Sequence, residues 1–486
     1  MSNEEKDIKK EFDLAREIRN GSISTLGSKL KLVARLSWPA ILAQLSTILM
    51  EYIDAAMVGR LGAPQAASIG LVATTTWLFW GIGTATVSGF AVQVAHFVGA
   101  GRDDDARSVF RQGLVVVASL GCLLAAIGFT LSTPLPGWLG GDDVIRHDST
   151  SYFAIFSLSL PFMFVTFLAN SVLRCSGNMV VPGLVNVLMC VLDVVFNALF
   201  IFGLGLGVAG AALGSLAAVI VAGSWAMIYL FKKSGKLNHP YRGIKHKWQL
   251  SSHTLRKAFT ISWPLGVERC VMCGAQILIT VIVAPLGNAA IAANSFAITA
   301  ESLCYMPGYG LADASTTLVG QSLGAGRRDL AKSFAHVTIF SGMLVMGVLG
   351  CVLWFLAPEM MSFFTPDVEV VSLGVTALRT EAWAEAMFGA AIVTYGTFVG
   401  AGYTVVPAGI NFTSIWAVRL TLSALLASSL GLFGVWLAMA IELTCRGAAF
   451  LFVFARGKWL NTSLGLTNPP QLIAEEEIHQ PDEFEL

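Results

Sequence analysis

LSWPAILAQLSTILMEYIDAAMVGRLG, residues 36–62, is an apolar run of membrane-spanning length that carries two carboxylates, Glu51 and Asp54. ISWPLGVERCVMCGAQILITVIVAPLG, residues 261–287, repeats its frame 225 residues later. Trp38-Pro39 aligns with Trp263-Pro264, and Leu61-Gly62 with Leu286-Gly287. The same offset joins Gly99-Ala100-Gly101-Arg102 to Gly324-Ala325-Gly326-Arg327, and Val181-Pro182 with Asn186 to Val406-Pro407 with Asn411. One register across these landmarks marks a duplicated half-molecule. An acid inside an apolar span is a functional candidate by default, and internal duplication is a plan of secondary transporters, so the two together point to transport.

The wider composition agrees. The chain of 486 residues is 55% hydrophobic and only 13% charged, against about 25% charged in ordinary soluble domains. This is the composition of a polytopic membrane protein, and its 48 glycines suit helices that pack closely in lipid. The net charge is zero, which gives no reason to expect nucleic-acid binding. Residues 1–32 mix acids and bases without an apolar core, so no signal peptide is expected there. The eight cysteines lie in or beside apolar segments and read as buried thiols, not as a disulfide framework.

A spanning helix needs about 20 apolar residues. On that criterion twelve spans are expected: 33–58, 66–96, 111–133, 150–172, 180–203, 207–231, 259–284, 289–318, 334–357, 377–400, 405–430 and 434–456. The fold class is therefore all-α and polytopic, because only helices satisfy their own backbone groups in lipid at this composition. The segment 232–258 holds eight Lys/Arg and no acid, and Arg102, Arg107, Arg111, Arg327, Arg328 and Lys332 cluster on the same side. The opposite loops carry Asp142, Asp143, Asp148, Glu359, Asp367 and Glu369. The positive-inside rule then places both termini in the cytoplasm and the chain in the inner (plasma) membrane. The expected organisation is a cytoplasmic arm with a short surface helix at 1–32, a six-helix lobe at 33–231, a basic linker at 232–258, a second six-helix lobe at 259–458, and an acidic tail at 459–486. Six spans per copy return the chain to its starting side. The lobes are thus parallel repeats about a pseudo-two-fold along the membrane normal, with the substrate path between them.

The residues also resemble the multidrug and toxic compound extrusion (MATE) transporters, most nearly their DinF-like branch, over residues 33–458. The matching text is YIDAAMVGRLG around Asp54, VGAGR at 98–102, IFGLGLGVAGAALGS at 201–215, PLGVE ending at Glu268, PGYGLADASTTLVGQSLGAG at 307–326 and VVPAGIN at 405–411. The resemblance implies two six-helix lobes around a V-shaped cavity. It also implies antiport of a drug-like, often cationic, molecule against protons or sodium ions, with no cofactor beyond that coupling cation. A monomer, surrounded by membrane lipid, is expected.

In that family an acid at the position of Asp54 serves the coupling ion together with an Asn and an Asp four residues apart on the fifth span. This chain reads LDVVFNALFIFG there, with Asp193 and Asn197 exchanged but still four apart, so both face the same way. Glu51, one turn before Asp54, joins the candidate set. Asp54, Asp193 and Asn197 suit sodium, a hard cation that prefers oxygen ligands. Two carboxylates crowded in a low dielectric equally suit a proton. Asp54 and Glu51 become Ile279 and Gln276 in the second copy, so the acid face belongs to one lobe and ion coupling is expected there. The simpler alternative is a hydrogen-bonded acid that only fixes helix packing.

The second lobe offers Glu268, Glu301, Asp313 and Glu381 as a substrate or proton site, against structural pairing as the alternative. Asp313 is expected to follow a helix break at Pro307-Gly308-Tyr309-Gly310. Glu381 and Glu385 are expected to be partly solvated near the outer end of span ten. Glu442 and Arg446 should form an i, i+4 ion pair near a membrane face. Arg174 and Arg419 are candidate counter-charges. Three motif matches are set aside. Gly320-Gln321-Ser322-Leu323-Gly324 ends a membrane helix instead of joining strand to helix. Gly205 to Gly210 resembles a dinucleotide fingerprint without the acid that should follow, and Cys270-x-x-Cys273 lacks a second pair. A lipid-linked precursor flippase of the same superfamily is the alternative function, disfavoured by twelve spans and acidic interior residues. An enzyme would need converging ligands or nucleophiles at depth, which the sequence does not supply.

Overall fold

The computed structural model of the protein describes residues 13–21, 23–232 and 250–462; most of the basic linker and the acidic tail lie outside the described residues. Every regular element among them is helical. We number the helices α1 (Leu14–Asn20), α2 (Leu26–Gly59), α3 (Ala63–Gly99), α4 (Asp103–Leu131), α5 (Asp143–Cys175), α6 (Val180–Asn197), α7 (Gly207–Lys232), α8 (Ser252–Val283), α9 (Asn288–Gly324), α10 (Arg328–Phe364), α11 (Val368–Glu381), α12 (Glu385–Gly400), α13 (Val405–Thr413) and α14 (Thr421–Ala455). α6 and α13 each run on into a π-helical segment, Ala198–Gly203 and Ser414–Leu420. Nine helical stretches of the described residues are long and apolar enough to cross a membrane. One of them, Val405–Ala455, bends at Gly431 (φ 60°) and makes two crossings. The remaining two crossings are α9, whose acids and hydroxyls dilute its apolar character, and the pair α11 and α12, which a break divides into pieces of 14 and 16 residues. The architecture is the expected twelve-span, all-α one.

Two expectations fail locally. α9 runs unbroken from Asn288 to Gly324 with Pro307 inside it. A proline costs one intrahelical bond, and here the neighbouring helices hold the chain straight through it. The break falls instead at 382–384, between α11 and α12, where Trp383 is 80% exposed. The N-terminal arm is not a surface helix either. α1 starts on Asp13, which accepts from the Arg16 amide, and ends at Gly21 in the left-handed region. Its Leu14, Ala15 and Ile18 are buried.

The first lobe is α2 to α7 and the second α8 to α14, each with its own apolar core. A further cluster joins them. Leu14 and Ile18 of α1 and Leu32, Val33 and Leu36 of α2 pack with Leu311 and Leu318 of α9 and Phe334 of α10. Arg19 of α1 donates to the carbonyls of Val98 and Gly99 at the end of α3, where the last carbonyls of a helix lack partners of their own.

At this basic end the lobes touch backbone to backbone. A Cβ on Gly99 would lie 2.1 Å from the carbonyl oxygen of Gln321, and one on Gly324 would lie 2.0 Å from that of His96. His96 Nε2 is hydrogen-bonded to the Gly400 carbonyl at 2.9 Å, and Gln321 Nε2 donates to the Cys175 carbonyl at 2.8 Å. These contacts are equivalent under the 225-residue offset. The glycines of the repeated Gly-Ala-Gly-Arg text thus recur because each lobe needs close approach at the seam. Further out, α2 stays joined to α9 as far as Tyr52, whose hydroxyl meets that of Ser302 at 2.5 Å. α3 meets α8 from Gln93 and Thr254 to Gly81 and Arg269, while Trp77 of α3 and Val281 of α8, nearer the acidic loops, are 58% and 60% exposed.

The cysteines are all free. Cys175, Cys190 and Cys304 are buried, but Cys122, Cys270, Cys351 and Cys445 lie on exposed helix faces, so burial does not hold for the whole set. An apolar segment fixes depth in lipid; it does not fix which face is turned inward.

Candidate coupling site in the first lobe

Asp54 lies on α2 five residues before the helix ends, and Asp193 and Asn197 close α6. Asn197 Nδ2 donates to Asp54 Oδ1 at 2.8 Å and to Asp193 Oδ2 at 2.9 Å. Asp193 and Asn197 are buried, at 1% and 0% exposure, and Asp54 is half-buried. One amide therefore bridges two carboxylates from two helices. Glu51 makes no hydrogen bond in this bridge: it sits exposed one turn earlier on α2, turned by about 60° from Asp54 but within electrostatic reach of it.

The local backbone is built for this contact. The π-helical segment begins immediately after Asn197. Such wide turns, which disturb the regular backbone bonding, occur frequently at functional sites. α7 packs against it through two glycines: a Cβ on Gly210 would lie 2.8 Å from the Phe200 carbonyl carbon, and one on Gly214 would lie 1.9 Å from Asn197 Oδ1. Gly205 and Gly207 have positive φ and make the turn into α7. The dinucleotide-like glycine text is therefore packing and turn chemistry. Asn197 Oδ1 itself has no hydrogen-bond partner. Ser215, next to Gly214, sits beside Asp193. The sequence signal for Gly214 and Ser215 was the motif at 201–215, which carries no indication of a contact with Asn197.

The second lobe contains two separate acidic groups. Glu268 on α8, 8% exposed, accepts from the Tyr395 hydroxyl at 2.8 Å and from Asn411 Nδ2 at 2.6 Å. Glu301 on α9, Glu381 on α11 and Glu385 on α12 form the other group, with one carboxylate oxygen of each within 4.8 Å of the others. Their exposures are 4%, 0% and 0%, and no N–H or hydroxyl donor of the described residues reaches Glu381 or Glu385; Glu381 meets the carboxyl of Glu301 instead. The expected partial solvation is thus overturned. Both flank the break at 382–384, and that break turns them inward while Trp383 faces out. Nearby, Glu442 accepts from the Ser414 hydroxyl at 2.5 Å and pairs with Arg446 at 3.1 Å. The i, i+4 pair is present, but at 0% and 7% exposure it lies in the lobe interior and not at a membrane face.

Asp313 belongs to neither group. It lies on the seam, where Arg174 Nη1 of the first lobe donates to Asp313 Oδ2 at 2.8 Å and Gln44 Nε2 donates to the same oxygen at 3.2 Å. Arg174 is thus its counter-charge, and the acid ties the lobes together with both groups partly exposed (20% and 31%).

A family profile described as MatE matches this chain twice, over residues 39–199 and 264–425. The chain belongs to the MatE family. Its two matches begin 225 residues apart, the offset of the internal repeat. MatE relatives include a protein named "Probable multidrug resistance protein NorM" from Thermotoga maritima, 24% identical over 88% of this chain and 93% of the relative. Another of that name, from Neisseria meningitidis serogroup A, is 26% identical over 90% of this chain and 96% of the relative. Among solved MatE folds, the Vibrio cholerae MATE transporter VcmN in its bent form superposes with a TM-score of 0.82 at 20% identity, covering 91% of this chain and 99% of that one. The chain is thus a member of a multidrug efflux transporter family and shares its twelve-span fold.

Proposed function

We propose that this MatE protein is a secondary antiporter that exports drug-like, cationic or amphiphilic small molecules in exchange for protons or sodium ions. The supporting observation is the Asp54–Asn197–Asp193 bridge. Two carboxylates from α2 and α6, one buried and one half-buried, share one neutral amide, which is less compensation than two adjacent negative charges require. A proton or a sodium ion is the natural complement. The amide presents its N–H groups to both acids, an arrangement that suits a proton taken up by the carboxylates. Sodium would instead need Asn197 to turn its oxygen inward. The same α2 also carries Gln44 and Tyr52 to the other lobe, so a change of charge at Asp54 acts on a helix that both holds the ion and joins the lobes. An imposed potential of 100 mV supplies about 2.3 kcal/mol per charge moved, roughly fifty-fold accumulation.

The test is efflux of a cationic dye by purified protein in liposomes, with proton and sodium gradients imposed separately. Export driven by one gradient and abolished in Asp54→Asn is the expected result. Undiminished export by a folded Asp54→Asn protein would refute the assignment. Preference for an anionic lipid-linked sugar over cationic dyes would redirect it to a flippase.

A further inference from the structure

On the side of the second lobe away from the first, α10, α11 and α14 enclose an open groove of about 710 Å³. Trp354, Arg379 and Thr380 line it on one side, and Leu437, Ile441 and Thr444 of α14 line it on the other, with Trp383 one turn beyond Arg379. Arg379 is the one charged lining residue. Its surroundings explain why an arginine is tolerated there. Pro358 has no N–H, so the Trp354 carbonyl four residues earlier lacks its helical donor. Arg379 Nε supplies that donor at 3.2 Å, and the guanidinium carbon lies 4.8 Å from the centroid of the Trp354 ring. This fixes the plane of the guanidinium and leaves its two Nη groups without a hydrogen-bond partner among the described residues. Arg379 forms no ion pair there either.

The depth of this site is set by Glu359, which is exposed five residues beyond Trp354 on α10. At 1.5 Å per residue the guanidinium sits about 7 Å below an acid that must face the interface. Trp354 at this level matches the aromatic belt of a membrane protein. The groove descends from there into the apolar layer. Thr376, Thr380 and Thr444 donate their hydroxyls to their own helix carbonyls, so their oxygens can only accept. The groove thus offers a forked cation at headgroup level, acceptors for N–H or O–H groups, and an apolar wall below.

From this we infer that the groove is a binding site for one glycerophospholipid, with its phosphate on the Nη groups of Arg379 and an acyl chain along Leu437 and Ile441. A guanidinium fork matches phosphate oxygens in pairs. The lipid comes from the leaflet on the side of the acidic loops. The site is distinct from the proposed ion-coupling residues and independent of which cation is used.

Native mass spectrometry of the purified protein in non-ionic detergent tests it, with titrations of dioleoylphosphatidylethanolamine, dioleoylphosphatidylglycerol, dioleoylglycerol and glycerol 3-phosphate. One tightly held molecule of either phospholipid is expected. Dioleoylglycerol, which lacks the phosphate, and glycerol 3-phosphate, which lacks the chains, should bind at least about tenfold more weakly. Arg379→Gln should lose about tenfold or more for the phospholipids. Thr444→Trp, which fills the lower groove and leaves Arg379 in place, should displace the same molecule and serves if Arg379→Gln does not fold. Equal retention of dioleoylglycerol and phospholipid, or unchanged phospholipid binding in both variants, would overturn the proposal.

Discussion

Asn197 carries more of the first-lobe site than its neutral side chain implies. Its two amide hydrogens are its whole donor capacity, and both are used on carboxylates. Asn197→Ala should lower stability by about 2–3 kcal/mol, since it leaves the buried Asp193 and the half-buried Asp54 without their shared donor; the midpoint of thermal unfolding in detergent measures this. Asp54→Asn removes one of the like charges and should be far milder for stability while abolishing gradient-driven efflux in liposomes. At this scale the sequence was a good guide wherever a residue's role depends on its own helix. The i, i+4 spacing of Asp193 and Asn197, and the family resemblance, named the residues that lie against Asp54. It was a poor guide where the role depends on rotation or on the other lobe. Glu51 has the same chemistry as Asp54 but is turned out of the hydrogen-bonded bridge. Arg174 was rightly among the expected counter-charges, but nothing local to Asp313 marks it as the partner, 139 residues away in the chain. Glu381 and Glu385 are buried because of a break whose position no nearby proline or glycine announces.

At the scale of elements, the π-helical end of α6 and the glycine face of α7 form one unit. Gly214→Ala places a methyl group where Asn197 Oδ1 now lies, 1.9 Å away. It should therefore impair efflux nearly as severely as Asp54→Asn while leaving both carboxylates in the sequence. A thermal unfolding midpoint in detergent close to that of the parent protein would separate local displacement of Asn197 from general misfolding. The short helix α1 is the second element with a defined task. Its apolar face is buried against α2 and α9, and Arg19 covers the end of α3. Ile18→Asp buries a charge in that face and should release α1 from the seam. Maleimide labelling of Cys175, which is 4% exposed beneath the seam, should then become faster in a protein whose four exposed cysteines have been replaced by alanine.

For the whole molecule, the closed basic end is held by the glycine contacts, by cross-lobe hydrogen bonds such as those of His96 and Gln321, and by the apolar cluster of α1, α2, α9 and α10. Gly324→Leu cannot be accommodated against the His96 carbonyl. It should hold the lobes apart at that end, raise Cys175 labelling and stop transport by removing one of the two states that alternating access requires. Arg174→Met, which breaks only the partly exposed pair with Asp313, should loosen the same seam by about 1 kcal/mol, seen as a smaller increase in the same labelling. The repeat text foretold that two lobes would exist and how they are related. It did not foretell that the repeated glycines are the surfaces by which the lobes meet, because a repeat read along one chain gives no distances between its copies.

The seam has one more property. Each lobe contributes a glycine placed against the other lobe's carbonyl, and a side-chain donor directed at the end of the other lobe's fourth span. Such an interface is isologous: its two faces are interchangeable. A six-span polypeptide bearing one such face has the geometry to meet a copy of itself about a two-fold axis, with the glycine contacts made twice. The covalent linker then matters less for holding the halves together than for letting them differ. Once joined, one half was free to carry Asp54, Asp193 and Asn197 and the other a different set of acids, a division of labour that a homodimer encoded by a single half-length chain cannot reach.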